Sequence, residues 1–206
     1  MHLKPLVLDI VARMSSRAFV GEELCKDEDW LRLTKTYTVD MFVAAAELRT
    51  WPKSARRIVH WFLPACKQLR LQFSEARRII DRTIQKRKDR RQGACTSENK
   101  ASCHNDAITW AEQEAEAIGQ KFDEAKFQLT MSVAAIHTTT DLLTQVMIDL
   151  AQHPEVIAAL REEIGRCLGE NEPSKAALHG MMLLDSVIKE SQRLKPASIG
   201  QYNSAA

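Results

Sequence analysis

Apolar residues recur at spacings of three, four and seven along most of the chain, which is the spacing of one face of an α-helix. Alternation of apolar and polar residues, the mark of a half-buried strand, does not stand out, and the 206 residues include only seven glycines. We therefore predict an all-α protein. Its helices are expected at 6–19, 29–48, 66–91, 106–119, 123–152, 155–168, after Ser174 and at 183–194.

One polar stretch interrupts this pattern. Residues 93–105, G-A-C-T-S-E-N-K-A-S-C-H-N, are short-chained and polar, so they are predicted to form a surface loop within a single domain that spans residues 1–206. The loop contains Cys95, Cys103 and His104, but their spacing matches no standard zinc module. We predict no metal site there.

The charge balance bears on partners. Lysine and arginine (29) nearly equal aspartate and glutamate (27), so no overall field favours nucleic acid. The basic run Q-K-R-K-D-R-R at residues 85–91 could contact nucleic acid, but it is interpreted as the solvated C-terminal end of a helix. No nucleic-acid partner is predicted.

The cysteines and the hydropathy of the chain indicate in which cellular compartment the protein is expected. The five cysteines form no C-x-x-C pair, which suits reduced thiols in an intracellular protein better than a disulfide framework. No apolar run approaches the roughly 20 residues that a membrane span requires, and the N-terminus does not begin a signal peptide. The sequence predicts no membrane anchor in this chain.

The stretch A-A-I-H-T-T-T-D at residues 134–141 lies inside the longest predicted helix, although its centre is poor in helix formers. His137 and the three threonines after it cost roughly 2 kcal/mol relative to alanine. Apolar residues on two opposite faces predict a central buried helix, distorted near 136–139 so that a hydroxyl or a backbone carbonyl could contact a ligand. The alternative is that Thr140 or Asp141 caps a second helix.

A second pattern follows about fifty residues later. Glu190 and Arg193 are three residues apart in K-E-S-Q-R, so they share one face of the last helix and can form an ion pair. Such pairs are common on surface helices and usually contribute no more than about 0.5 kcal/mol. The order of the two patterns is more informative than either alone.

Together these motifs resemble the cytochrome P-450 family of heme-thiolate monooxygenases, and in particular its fungal secondary-metabolite members. A-A-I-H-T-T at 134–139 is similar to the oxygen-activation motif of the family's long central helix, and Glu190 to Arg193 is similar to its E-x-x-R motif. Four further stretches support the resemblance: S-R-A-F-V-G-E-E-L-C at 16–25, D-W-L-R-L-T at 29–34, W-F-L-P at 61–64 and H-P-E-V-I-A-A-L-R-E-E-I at 153–164.

The resemblance implies roles for six residues. Thr138 matches the threonine that helps to deliver protons during oxygen activation, and His137 replaces the usual acid beside it. An imidazole can shuttle protons near neutral pH. Ala134 and Ala135 would face the heme plane. Glu190 and Arg193 would form a structural ion pair that locks the heme-binding core.

The resemblance also implies a fold and an activity. The chain is expected to be the central helical segment of the P-450 fold, with a long buried helix and an E-x-x-R helix, incomplete at both ends. The full-length enzyme would hydroxylate a lipophilic metabolite of the terpenoid or indole-terpenoid class, with O2 and electrons from an NADPH-cytochrome reductase. No cysteine follows Cys167, so the proximal heme ligand is absent and the chain alone is expected to be inactive. The alternative is a noncatalytic helical remnant or a module that binds a lipophilic partner.

The segment at residues 51–62 combines aromatic and basic side chains. Trp51, Trp61 and Phe62 lie near Arg56 and Arg57, as in a segment at a membrane interface. In the family this region touches the endoplasmic reticulum membrane, so a membrane-surface contact is expected; a buried helix–helix contact is the alternative.

Overall fold

The computed structural model describes residues 3–94, 106–169 and 174–196, and its regular structure is entirely helical within these ranges. The helices are α1 Leu3–Leu24, α2 Glu28–Arg49, α3 Lys53–Val59, α4 Pro64–Ala94, α5 Ala107–Ile118, α6 Glu124–Gln152, α7 Pro154–Leu168, α8 Lys175–Gly180 and α9 Met182–Leu194. The all-α prediction is confirmed. Of the predicted loop, residues 95–105, with both cysteines and His104, lie outside the described residues.

Side-chain caps explain why several helices begin where the sequence predicted. Asp27 accepts a hydrogen bond from the backbone N–H of Trp30 at the start of α2, and Asp106 accepts one from Thr109 at the start of α5. Ser174 caps α8 in the same way. Each cap satisfies an N–H group that the helix itself leaves without a partner.

The described residues divide into two compact units. The first comprises residues 8–137, and the second comprises the described parts of 1–7 and 138–206, so the division falls within α1 and α6.

The core of the first unit lies mainly between α2 and α4, with contributions from α1, α5 and α6. Trp30, Leu33 and Ile80 are among its fully buried side chains, each worth about 1.5–3 kcal/mol of burial free energy. A smaller cluster joins Ala12, Leu31 and Ile136, so it fixes α6 against α1 and α2 directly before His137.

Gly21 interrupts the first helix, so α1 consists of two helical segments that meet at this residue. Helix α1 continues to Leu24, and Gly21 forms a kink inside it with φ 83° and ψ −174°, a conformation that is essentially restricted to glycine. A Cβ atom there would lie 2.8 Å from Asp106 Oδ2 and 2.9 Å from Arg87 Nη2. Arg87 and Asp106 form an ion pair, and only glycine at position 21 lets the backbone lie this close to it.

The basic run at 85–91 is not fully solvated. Arg87 is buried, its Nη2 lies 2.7 Å from Asp106 Oδ2, and the same atom donates to the carbonyl oxygen of Val20. The interpretation of the run as a solvated helix end is therefore wrong at Arg87. Residues far apart in the sequence provide its partners.

Helix α6 is continuous from Glu124 to Gln152, so the predicted single helix is confirmed, and Asp141 does not begin a second one. Its buried face differs from the one that hydrophobic periodicity predicts, which is the apolar stripe of Leu129, Val133, Ile136, Leu143, Met147 and Leu150. Thr140, which interrupts the apolar pattern, is fully buried, whereas Leu143 and Met147 are exposed. Five of the eight buried residues of α6 follow each other at intervals of four, and the eight are Ala125, Gln128, Leu129, Ser132, Ile136, Thr140, Thr144 and Val146.

In the second unit, α7 packs against α8 and α9, with Leu160, Met181 and Ser191 buried. Among the described residues of the whole chain, no helix is both long and apolar enough to cross a bilayer.

Candidate functional site

Thr138 is exposed on α6 and lines a cavity of about 670 Å3 in the second unit. Most of the residues that line it have polar side chains, and α6 contributes most of them. The lining residues are Lys4, Thr138, Thr139, Asp141, Leu142, Thr144, Gln145, Gln192, Lys195 and Pro196. Lys4 forms an ion pair with Asp141 at 2.7 Å, while Gln192 lies within the E-x-x-R stretch of α9. The cavity thus brings Thr138 and the E-x-x-R helix together.

His137 is half-buried in the first unit, and its Nε2 lies 2.9 Å from the backbone carbonyl oxygen of Lys35. A carbonyl oxygen can only accept, so Nε2 carries the shared hydrogen. In the neutral ring, Nδ1 is therefore the nitrogen that carries no hydrogen and can accept a hydrogen bond. The structure assigns the tautomer that the sequence leaves open.

The position of Lys35 is set by a short ion-pair network between α1 and α2. Lys35 Nζ contacts Asp9 at 2.9 Å, and Arg13 contacts both Asp9 and Glu28. The hydrogen bond from Lys35, followed by the one from Arg13, lowers the pKa of the Asp9 carboxyl. The network holds the segment of α2 that accepts the His137 hydrogen bond.

Ala134 and Ala135 lie on α6 in the first unit. Ala134 is exposed and Ala135 is half-buried, and neither is among the residues that line the cavity beside Thr138. The structure therefore places the two alanines on α6 but not at that cavity.

Glu190 and Arg193 form two hydrogen bonds on α9. Arg193 Nε donates to Glu190 Oε2 at 2.8 Å, and Arg193 Nη2 donates to Glu190 Oε1 at 2.7 Å. The bonds from Arg193 lower the pKa of the Glu190 carboxyl. Their stabilising effect is present above the unfolded pKa and is lost as the pH falls through the lowered value, and it is small because both side chains are exposed.

A second, more apolar hollow of about 370 Å3 lies in the first unit between α2, α4 and α6. Most of its lining is apolar, and the lining residues are Tyr37, Met41, Phe73, Lys126, Leu129, Thr130 and Val133. Burial raises the pKa of Tyr37. The hollow suits an apolar ligand.

The aromatic segment around α3 is solvent-accessible. Trp61 is 63% exposed and Phe62 is 80% exposed, while Arg70 lies over the Trp61 ring at 5.0 Å and donates to the carbonyl oxygens of His60 and Trp61. In the described structure these rings are not covered by another helix. The expected alternative, a buried helix–helix contact, is therefore not formed by these two rings within the described residues.

Comparison with known proteins decides the family. A family model described as "Cytochrome P450" matches residues 2–202. The chain belongs to the cytochrome P450 family. It is 50% identical over 194 residues to cytochrome P450 monooxygenase 2 of Gibberella fujikuroi, 49% identical over 199 residues to cytochrome P450 monooxygenase hepE of Aspergillus oryzae, and 47% identical over 199 residues to cytochrome P450 monooxygenase esdpI of Penicillium shearii.

These alignments cover 93%, 96% and 96% of this chain, but only 40%, 36% and 38% of the three relatives. The chain thus spans about two fifths of the length of the P450 proteins it matches. The expected resemblance to fungal secondary-metabolite monooxygenases is confirmed.

P450 membership implies heme, and the described residues fit it incompletely. In the cavity beside Thr138, Lys195 could pair with a carboxylate of the heme, whereas Lys4 already pairs with Asp141; the lining residues include no cysteine or histidine that could bind iron. The described thiols of Cys25 and Cys66 are buried, and Cys167 lies against Gly180. None of these three cysteines is among the residues that line the cavity.

Sequence reasoning missed three features of this P450 chain. They are the Lys35 carbonyl that holds His137, the Lys4–Asp141 pair in the cavity, and Glu163, which contacts the start of α9. The first uses a backbone group that no side-chain pattern reveals. The other two join residues from different helices, which no local spacing indicates.

Proposed function

We propose that this chain forms the central helical part of a monooxygenase that hydroxylates a lipophilic fungal secondary metabolite, of the terpenoid or indole-terpenoid class, with O2 and electrons from an NADPH-cytochrome reductase. The observation that carries the proposal is the cavity lined by both Thr138 and the E-x-x-R helix. Relatives at 47–50% identity support the reaction class. The substrate class rests on the resemblance of the whole chain to fungal secondary-metabolite members of the family.

Each site residue has a distinct part in this proposal. Heme, when bound, supplies the oxidising chemistry. Thr138 presents its hydroxyl to the cavity and moves a proton there, and His137 takes up or releases a proton at Nδ1 while Nε2 holds the ring on Lys35. Ala134 and Ala135 allow close approach of the cofactor, and the ion pair of α9 is structural.

The substrate and the membrane contact different parts of the first unit. The lipophilic substrate contacts the hollow lined by Tyr37, Met41 and Phe73. The exposed rings of Trp61 and Phe62 rest on the endoplasmic reticulum surface, where aromatic side chains with nearby cations are favoured.

We expect the 206-residue chain alone to be inactive. Mixed with heme, reduced and exposed to carbon monoxide, it should show no thiolate-type absorption, because all five cysteines precede Glu190 and none lies in the glycine-containing loop that carries the thiolate ligand in the family. The full-length protein, which supplies the rest of the P450 fold, should show that absorption under the same conditions. A thiolate-type spectrum from the chain alone would refute this expectation.

The proton role of His137 is tested by replacing it with glutamine in the full-length protein. The glutamine Nε2–H can still donate to the Lys35 carbonyl, but the side chain cannot titrate. We expect product formed per NADPH to fall about 100-fold, the lower range for loss of a positioned acid or base, while the urea midpoint of unfolding stays unchanged. His137→Ala should lower both, because it also removes the hydrogen bond.

His153→Gln is the matched control, since His153 is an exposed histidine one residue beyond α6. It should leave product formation unchanged. Full product yield in His137→Gln would show that His137 only tethers α6 and takes no part in proton transfer.

A further inference from the structure

Glu163 is a buried carboxylate near the middle of α7, with only 7% of the residue exposed. A buried charge is costly unless it is hydrogen-bonded. Its two oxygens have separate backbone partners: Oε1 accepts from the N–H of Leu183 at 2.8 Å, and Oε2 accepts from the N–H of Leu184 at 2.9 Å. Glu163 thus bridges α7 to the first turn of α9.

Helix α9 has no side-chain cap of its own. Its N-cap residue is Met181, which donates no side-chain hydrogen bond and accepts none from the first turn. The N–H groups at a helix start require acceptors and favour a negative charge beside them. Glu163 meets both requirements from a position twenty residues away in the sequence. The pKa of its carboxyl is lowered, and the hydrogen bond from the Leu183 N–H is the largest cause of that shift.

We propose that Glu163 is a positioning residue for the E-x-x-R helix; this rests on the structural role of Glu190 and Arg193 given under Proposed function. Two oxygens on two consecutive N–H groups fix both the start of α9 and its rotation about its own axis. A helix transmits this setting along its length, so Glu163 determines where the Glu190–Arg193 pair, two to three turns later, is presented.

The first test measures amide hydrogen exchange in the 206-residue chain. Glu163→Gln keeps the size of the side chain but replaces one acceptor oxygen with a donor, and Glu163→Ala removes both acceptors. We expect exchange at Leu183 and Leu184 to rise about tenfold in Glu163→Gln and further in Glu163→Ala. If Glu163 only fills space, exchange at Leu183 and Leu184 in Glu163→Gln should equal that of the wild type.

Glu162→Gln is the matched control, because Glu162 is the neighbouring glutamate and is exposed. It should leave exchange at Leu183 and Leu184 within twofold of the wild type. Unchanged exchange in both Glu163 variants would overturn the proposal.

The second test uses the full-length protein and the fraction that shows the thiolate-type carbon monoxide spectrum. Glu163→Ala should reduce this fraction severalfold, in the same direction as Arg193→Ala, and Glu162→Gln should not. A loss in Arg193→Ala with a normal spectrum in Glu163→Ala would overturn the proposal. If Arg193→Ala itself has no effect, the proposed role of the ion pair fails, and exchange at Leu183 and Leu184 alone then decides whether Glu163 positions α9.

Discussion

Replacing Gly21 with alanine is expected to lower the free energy of unfolding by about 4 kcal/mol or more. Its backbone conformation costs a residue with a side chain about 1–3 kcal/mol. The new Cβ would also lie within 3 Å of both partners of a buried ion pair, and disrupting such a pair costs about 3–5 kcal/mol. Because domains are stable by only about 5–15 kcal/mol, the helical circular dichroism signal should be lost at a much lower urea concentration.

Substitutions at two other glycines distinguish the cost of backbone strain from the cost of a steric clash of the new Cβ atom. Gly119 also has a positive φ, 70°, but a Cβ there meets no atom within 4 Å, so Gly119→Ala should cost only about 1–2 kcal/mol. Gly165 is helical and has open space around it, so Gly165→Ala should stabilise by about 0.5–1 kcal/mol. Equal losses in the Gly21 and Gly119 variants would contradict the close approach at Asp106.

Replacing Arg87 with methionine is expected to cost about 3–5 kcal/mol, because it leaves the buried Asp106 carboxylate without its cation. Asp106 Oδ1 would keep its hydrogen bonds from the backbone and side chain of Thr109, but these do not balance a buried charge. Urea unfolding of the chain measures the loss. Adding Asp106→Asn should recover most of it, since the amide oxygen can still cap α5.

The exposed pair of Lys189 and Asp185 provides the control. Lys189→Met should cost no more than about 0.5 kcal/mol, as expected for an exposed i, i+4 pair. The free-energy losses at Gly21 and Arg87 should not be additive. Gly21→Ala should cost less in the Arg87→Met background, because the ion pair with Asp106 that it disturbs no longer exists there. Fully additive losses would show that the two residues act separately.

The face that each helix buries was harder to predict than the helix itself. Hydrophobicity alone placed Leu143 and Met147 inside and treated Thr140 as an interruption, whereas Thr140 is buried and the other two are exposed. A threonine hydroxyl can be hydrogen-bonded within its own helix, so its burial is not costly. The basic run at 85–91 presents the same difficulty, since one of its arginines is buried by a partner from another helix.

The sequence by itself determined the helical class, the positions of most helices and the family. Periodicity, caps such as Asp27 and Ser174, and prolines act within a few residues, and the motifs at 134–139 and 190–193 are local too. Only the tertiary structure decided the surroundings of those motifs. The tautomer of His137 depends on a carbonyl 102 residues away, and the cap of α9 comes from Glu163, because such contacts form only when helices distant in sequence pack together.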